Sequence, residues 1–125
     1  MREILFRGKT FSGDWVYGSY EFSYLYDTSR ETHRIISADK TSKTNFLAEV
    51  IPETIGQYTG LTDKNGNKIF ENDIVTLFGE KYVVKWKNSN CTYIIENGNI
   101  GTKIIEFPSD YYEIIGNIFD NKELL

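Results

Sequence analysis

Apolar and polar residues alternate with a period of two along most of this chain, a pattern typical of half-buried β-strands. The segment KYVVKW is the clearest example. The alternation predicts a core face and a mostly solvated face: Tyr82, Val84 and Trp86 on the first, and Val83, Lys85 and Lys87 on the second. Similar runs predict further strands: EILFR, DWVYGSYEFSYLY, RIIS, DIVTLF, CTYIIE, KIIEF and YEIIGNIF. No helical stripe exceeds about two turns, and only the tail DNKELL predicts a short helical turn.

Glycine and asparagine mark the turns between these strands. Asn65-Gly66 predicts a type I′ hairpin turn because both residues tolerate positive φ, and Asn97-Gly98 repeats this signal. Gly79-Glu80 predicts a type II′ turn, with glycine at the first central position. Gly18 lies inside a strand pattern, where glycine indicates a bulge or bend.

Short strands with such turns predict an all-β fold of antiparallel hairpins. A sheet of these hairpins that curls into a small, partly open, SH3-like barrel would have protected strand edges. The predicted fold is such a barrel with an additional N-terminal β segment. The length of 125 residues fits a single domain over residues 1–125. The polar run ADKTSKTN is the most linker-like segment, so two packed β subdomains over residues 1–50 and 51–125 remain an alternative, with an internal boundary near residues 41–45.

Composition and net charge argue against several classes of function. The net charge of −4 and pI of about 5.0 disfavour non-specific binding to nucleic acid. Cys91 is the sole cysteine and His33 the sole histidine, so an internal disulfide and a two-histidine metal site are excluded. No signal-peptide pattern or membrane span is present in the sequence, and a cytoplasmic location is expected. Aromatic residues make up 15 %, which is compatible with self-association.

The stretch LTDKNGNKIFENDIV invites a calcium-binding interpretation because it opens like an EF-hand loop. Counted from Asp63, the sixth position is Lys68 rather than glycine, and the twelfth is Ile74 rather than glutamate. The sharp turn and the bidentate ligand of a calcium loop are therefore both absent. No metal or other cofactor is expected.

Three carboxylates in this stretch, Asp63, Glu71 and Asp73, raise an acid–base interpretation. Their positions fit turn chemistry better, because aspartate before a hairpin loop or a strand bonds nearby backbone amides. The predicted structural turn residues are Asn65, Gly66, Asn72 and Asp73. Asn72 is predicted to have left-handed φ, which asparagine tolerates best after glycine. No catalytic residue is predicted.

Three blocks resemble the YopX-like family of phage and prophage proteins. The central block is VIPETIGQYTGLTDKNGNKIFENDIV; MREILFRGK with WVYGSY resembles the N-terminal block, and YEIIGNIFDNKELL the C-terminal one. The family usually carries glycine at the position of Asn72, which agrees with left-handed φ there. The resemblance implies a mainly β, phage-encoded protein in a bacterial host, with no established activity and no catalytic or cofactor residues. Residues 22–46 and 87–103 carry no part of it, and partner specificity is expected to vary there.

Three further sets of residues are candidates for a binding or catalytic role. An aromatic and basic set could stack single-stranded nucleic acid: Lys81, Lys85, Trp86, Lys87 and Tyr93, with Tyr82 beside them. Burial of Tyr82 and Trp86 in the core, with the lysines solvated, is favoured over that platform. His33 lies near Asp27, Ser29 and Glu31, but without a hydrolase motif it is expected at the surface. Cys91 is expected to be a small buried hydrophobe.

The sequence therefore predicts a binding module rather than an enzyme. Its expected partner is a host or phage protein, and no membrane is involved. A nucleic-acid-binding small barrel is the alternative, and an enzyme without a recognisable motif is the third interpretation. Salt-sensitive retention on DNA or RNA would favour the second, and a deep pocket with convergent carboxylates the third.

Overall fold

The structure is a computed structural model that describes residues 3–24, 30–38, 45–98, 101–104 and 108–125. Those residues form eleven strands. The strands are β1 Phe6–Lys9, β2 Trp15–Tyr24, β3 Glu31–Ala38, β4 Asn45–Glu49, β5 Gly56–Thr62, β6 Lys68–Phe70, β7 Asp73–Leu77, β8 Glu80–Lys87, β9 Thr92–Asn97, β10 Gly101–Ile104 and β11 Glu113–Asn117. Four short 3₁₀ turns cover Pro52–Thr54, Asn88–Asn90, Ser109–Tyr111 and Lys122–Leu124, and the described residues contain no α-helix. The all-β prediction is confirmed.

The chain divides into two compact units, Met1–Gln57 and Tyr58–Leu125. In the first unit the strand order is β4-β3-β2-β1-β5, and every pair is antiparallel. In the second unit the latter part of β5 pairs with β6, and a five-stranded sheet has the order β10-β9-β8-β7-β11. The predicted antiparallel hairpins are present, and neither sheet is closed into a barrel.

The first unit is organised by a change of partner within β2. Its residues up to Gly18 pair with β1, and those from Ser19 onward pair with β3. The backbone packs so closely at this point that a Cβ on Gly18 would overlap the carbonyl group of Ile36. At the end of β4, Val50 bridges Thr10 and packs against Gly8. Gly18 thus serves a close backbone approach where the strand changes partner.

The second unit encloses a core cluster beneath the β7-β8-β9 sheet. Its fully or nearly fully buried members are Ile69, Val75, Leu77, Tyr82, Val84, Ile95 and Tyr112. The alternation along β8 accounts for Tyr82 and Val84, which are 3 % and 0 % exposed. It does not account for Trp86, because that residue lies near the end of β8, beyond the edge of the core cluster. The prediction that Trp86 is core is wrong: its exposed fraction is 44 %.

The β7–β8 hairpin turns one residue earlier than predicted. Leu77 pairs with Glu80, so the central turn residues are Phe78 and Gly79. Both have positive φ, at 50° and 80°. This is the geometry of a type I′ turn rather than the predicted type II′ turn at Gly79-Glu80. The physical reason is the strand register, which extends pairing to Leu77 and leaves Phe78 in a left-handed conformation.

Two further predictions concern the hairpin at Asn97-Gly98 and the C-terminal tail. A β9–β10 hairpin is present at the Asn97-Gly98 signal, but its turn is not the predicted type I′ turn: Asn97 is the last residue of β9 and pairs with Gly101, and neither Asn97 nor Gly98 has positive φ. Residues 99–100 of the turn lie outside the described residues. At the C-terminus, the predicted helical turn is a 3₁₀ turn over Lys122–Leu124. It follows Asn121, whose side-chain oxygen accepts the amide N–H of Asn117.

Candidate functional site

The loop after β5 is built around one buried carboxylate. Asp63 is 2 % exposed, and its Oδ1 accepts the amide N–H groups of Asn65 and Asn67 at 3.0 and 2.9 Å. Its Oδ2 accepts the amide N–H of Ile114, at the start of β11, at 3.1 Å. Both oxygens are therefore engaged by backbone donors. The carboxylate ties the loop to β11, as turn chemistry predicts, and it is not directed at an open site.

The turn itself is not the predicted type I′ turn at Asn65-Gly66. The Gly66 N–H donates to the carbonyl of Asp63 at 3.0 Å, which makes Lys64 and Asn65 the central residues. Only Gly66 of the loop has positive φ, at 82°. The Asp63 carboxylate explains the shift, because it holds the amides of residues 65 and 67 in a tight loop that begins one position earlier.

The same contacts set the acidity of Asp63. Burial alone would raise the pKa of this carboxyl group, because burial penalises the charged form. The amide N–H groups of Ile114, Asn67 and Asn65 favour the charged form more strongly, so the pKa lies below its ordinary value. Asp63 is ionised at neutral pH and serves as a hydrogen-bond acceptor rather than a proton donor.

The second turn of the stretch leads into β7. Asn72 has φ 73°, as predicted. Its N–H donates to the carbonyl of Val84 at 2.8 Å, and its carbonyl accepts the N–H of Ile118 at 3.0 Å. Asp73 is 2 % exposed, and its Oδ2 accepts the amide N–H of Phe70 at 2.8 Å. Asn72 and Asp73 therefore close the turn from β6 to β7 with backbone and carboxylate bonds.

The left-handed backbone at Asn72 carries a stability prediction. We expect Asn72→Gly to be neutral or mildly stabilising, and Asn72→Val to cost more than about 1 kcal/mol because a β-branched side chain is strained at this φ. Both variants lose the bond from Lys85 Nζ to Asn72 Oδ1, so the comparison between them isolates the backbone. Equilibrium urea melts measure the difference. Equal stability of the two variants would contradict a strained position.

The residues of the nucleic-acid platform do not share a surface. Because β8 alternates, Lys81, Lys85 and Lys87 lie on the face opposite to Trp86, which pairs with Tyr93 of β9. Trp86 and Tyr93 pack edge to face with their ring centroids 5.0 Å apart, and the indole N–H donates to Asn88. The structure thus joins the two aromatics and separates them from the lysines.

Two of these lysines have partners within the second unit. Lys81 Nζ donates to the carbonyl of Leu124 at 3.2 Å, and Lys85 Nζ to Asn72 Oδ1 at 3.1 Å. Lys87 lies exposed at the end of β8. A nucleic-acid phosphate backbone that bound along these lysines would have to compete with the hydrogen bonds that Lys81 and Lys85 already make.

The first unit carries an aromatic surface that sequence analysis did not single out. The register of β2, β3 and β4 places Tyr20, Phe22, His33 and Phe46 on the face that also carries the buried Ile35. Tyr20, Phe22 and Phe46 are 37 %, 47 % and 57 % exposed, whereas Ile35 is 1 % exposed. These four residues, Tyr20, Phe22, His33 and Phe46, are called the aromatic surface below. The sequence signal for this surface was the alternation of Tyr20 and Phe22 with Glu21 in β2. The surface as a whole could be recognised only from the pairing of β2, β3 and β4.

His33 is held within this surface by two neighbours. The Tyr20 hydroxyl lies 2.6 Å from Nδ1 of His33, and Nε2 lies 3.5 Å from the Glu31 carboxylate. The rings of Tyr20 and Phe22 pack on His33 with centroids 5.9 and 5.0 Å away. The predicted surface position of His33 is thus a half-buried one. Of the residues proposed around it, Asp27 and Ser29 lie outside the described residues.

The Tyr20–His33–Glu31 contacts do not create an activated nucleophile. Burial raises the pKa of the Tyr20 hydroxyl above its ordinary value, and the negative charge of Glu31 raises it further. The tyrosine therefore stays protonated at neutral pH and acts as a hydrogen-bonding aromatic residue. Its hydroxyl fixes the orientation of the His33 ring within the aromatic surface.

Cys91 is exposed, which corrects the prediction of a buried small hydrophobe. It follows the Asn88–Asn90 turn in a left-handed conformation with φ 48°, and β9 begins only at Thr92. The strand pattern that suggested burial therefore starts one residue later. Among the described residues, no group of three or more His, Cys, Asp or Glu side chains is placed to hold a metal ion.

Comparison with known families decides what this chain is related to. The family model described as YopX protein matches residues 5–125. The chain belongs to the YopX family. The YopX match includes residues 22–46 and 87–103, which carried no part of the sequence resemblance. The aromatic surface falls largely within the first of these segments.

A solved structure supports the fold of this YopX-family chain. The crystal structure of protein EF1440 from Enterococcus faecalis is similar with a TM-score of 0.56 and 22 % sequence identity, and the similarity covers 100 % of this chain and 99 % of that chain. At this identity the likeness concerns the fold alone. A search of curated proteins gave no match. No helix among the described residues has the length and apolar character needed to span a bilayer.

Proposed function

We propose that this YopX-family protein is a phage or prophage accessory protein that acts in the cytoplasm of a bacterial host by binding a host or phage protein, without catalysis. The observation that carries the proposal is the aromatic surface. Phe22 and Phe46 are about half exposed on a face whose centre, Ile35, is fully buried. Exposed aromatic residues continuous with a core are typical of protein-binding sites, where aromatic side chains are enriched.

The chemistry of the polar groups supports binding over catalysis. Asp63 and Asp73 are buried acceptors for backbone amides, and the raised pKa of Tyr20 disfavours a tyrosinate. The separation of Trp86 from the lysines, together with the net charge of −4, disfavours the alternative of a nucleic-acid-binding barrel. The third interpretation, an enzyme without a recognisable motif, gains no support from these groups.

The proposal is tested with Phe22→Ser as the variant and Phe11→Ser as its matched control. Phe11 is 69 % exposed in the turn after β1 and is not one of the four residues of the aromatic surface. We expect tagged wild-type protein and Phe11→Ser to enrich the same proteins from bacterial lysate, and Phe22→Ser to bind them roughly tenfold more weakly, as for a truncated interface hot spot. Quantitative mass spectrometry identifies the partner, and titration calorimetry with that purified partner gives the affinities.

Two results would contradict the proposal. One is a set of enriched proteins that Phe22→Ser and Phe11→Ser bind equally well. The other comes from fluorescence-anisotropy titration of a mixed-sequence single-stranded oligonucleotide at two salt concentrations. Protein binding predicts an affinity no better than the roughly 10⁻⁴ to 10⁻⁶ M of generic electrostatic attraction. A submicromolar, strongly salt-dependent affinity would move the function to nucleic-acid binding.

A further inference from the structure

The tip of the β7–β8 hairpin carries a large aromatic residue where the backbone favours a small one. Phe78 has φ 50°, and its exposed fraction is 64 %. A left-handed backbone at an exposed turn position favours asparagine or glycine, and for a bulky residue it is an outlier. Phe78 is not a member of the core cluster of the second unit, so burial does not explain the choice of residue. Backbone strain of this kind is commonly retained where it serves a function.

Tyr111 lies beside Phe78 because β11 pairs with β7. Glu113 pairs with Thr76, and the antiparallel course of the two strands brings Tyr111 level with Phe78. The two rings pack edge to face at 62°, with their centroids 5.4 Å apart. Tyr111 is 50 % exposed, so both rings keep much of their surface in contact with solvent. The corner between the rings of Phe78 and Tyr111 is called the aromatic corner below.

Two exposed carboxylates flank the aromatic corner in the chain. Glu80 begins β8 directly after the hairpin turn, and Asp110 precedes Tyr111 in its 3₁₀ turn. Neither carboxylate forms an ion pair with any other residue that the structure describes. Lys81 follows Glu80 but lies on the other face of β8, and its Nζ donates to a backbone carbonyl near the C-terminus. The corner is therefore aromatic at its centre and negatively charged at its rim.

We propose that the aromatic corner binds an arginine side chain of a partner protein. A cation is attracted to the faces of aromatic rings, and the negative rim favours a cation over an anionic or neutral group. Arginine fits this site better than lysine because its planar guanidinium stacks on a ring while its N–H groups bond a carboxylate, and because it is more weakly hydrated. The strained backbone of Phe78 places one wall of the corner at the hairpin tip, where a partner reaches it.

The aromatic corner is separate from the aromatic surface of the proposed function. All residues of the corner and its rim belong to the second unit, whereas the four residues of the aromatic surface belong to the first. Phe22→Ser is therefore expected to bind arginine as tightly as the wild-type chain does. A failure of either proposal leaves the other standing.

Nuclear magnetic resonance titration of the ¹⁵N-labelled chain with the capped peptide GRGRG tests the site. We expect saturable shifts of the amide signals of Phe78, Gly79 and Tyr111. A matched peptide with citrulline in place of both arginines has the same shape without the charge, and it should bind at least about tenfold more weakly. The lysine peptide GKGKG should bind less tightly than GRGRG. Absence of saturable shifts, or citrulline or lysine peptides that bind as tightly as GRGRG, would overturn the proposal.

Phe78→Asn separates binding from folding. Asparagine accepts left-handed φ, so the urea midpoint of this variant should equal or exceed that of wild type. Its affinity for GRGRG should fall at least about tenfold because one ring of the corner is lost. Phe11→Asn makes the same chemical change at a phenylalanine that is 69 % exposed in the first unit, and it should bind as wild type does.

A second variant keeps the test decisive if Phe78→Asn unfolds more easily than wild type. Glu80→Gln combined with Asp110→Asn removes the charge of the rim at two exposed side chains and leaves both rings in place. We expect this double variant to bind GRGRG more weakly and with less dependence on salt concentration, because screening acts on the charges that it lacks. Unchanged affinity in the double variant, or in a folded Phe78→Asn protein, would contradict binding of arginine at the aromatic corner.

Discussion

Asp63→Ala is expected to lower the free energy of unfolding by about 2–4 kcal/mol, because it leaves the amide N–H groups of Asn65, Asn67 and Ile114 without their acceptor. Asp110→Ala is the control, since Asp110 is exposed in a 3₁₀ turn. Urea melts at neutral pH measure both variants. A cost for Asp63→Ala no greater than that of the control would mean that the buried carboxylate does not hold the loop to β11.

The lowered pKa of Asp63 also predicts the direction of its pH dependence. The folded state binds a proton more weakly than the unfolded state, so the contribution of the carboxylate is fully present above the unfolded pKa of about 3.9 and is lost as the pH falls through the lower folded value. Asp63→Asn cannot titrate, and its amide NH₂ would face a backbone donor. It should therefore be less stable than wild type at neutral pH and lose less stability between about pH 5 and pH 2. Equal acid sensitivity of the two proteins would contradict this role.

Gly18→Ala is expected to produce the largest loss of stability, about 3 kcal/mol or more, or a chain that does not fold. The added Cβ would overlap the backbone carbonyl of Ile36, and the carbonyl carbon alone would lie 2.7 Å away. A backbone contact cannot be relieved by a rotamer change, so β2 and β3 would have to separate.

Gly98→Ala makes the same chemical change where a Cβ meets nothing within 4 Å, and it should be tolerated. Near-ultraviolet circular dichroism reports whether each variant retains packed aromatic residues, and urea melts give the stability of those that do. A Gly18→Ala protein as stable as Gly98→Ala would show that the strands do not approach this closely.

The sequence by itself determined the family, the strand content and the chemistry of the turns. Period-two alternation arises from the strand backbone alone, so Tyr82 and Val84 could be assigned to the core without knowing their neighbours. Spacing alone showed that the stretch beginning at Asp63 lacks the ligand pattern of an EF-hand loop. The left-handed backbone of Asn72 followed from local conformational preference, because few residues other than glycine tolerate that φ.

Only the tertiary structure decided where each turn begins and which side chains meet. Turn type depends on strand register, so the turns at Gly66 and Gly79 each started one residue earlier than their dipeptide signals indicated. Exposure depends on where the core ends, which a strand pattern does not contain, and Trp86 therefore lies outside it. The aromatic surface requires pairing between β2, β3 and β4. Such contacts join residues far apart in the chain, and local sequence carries no information about that pairing.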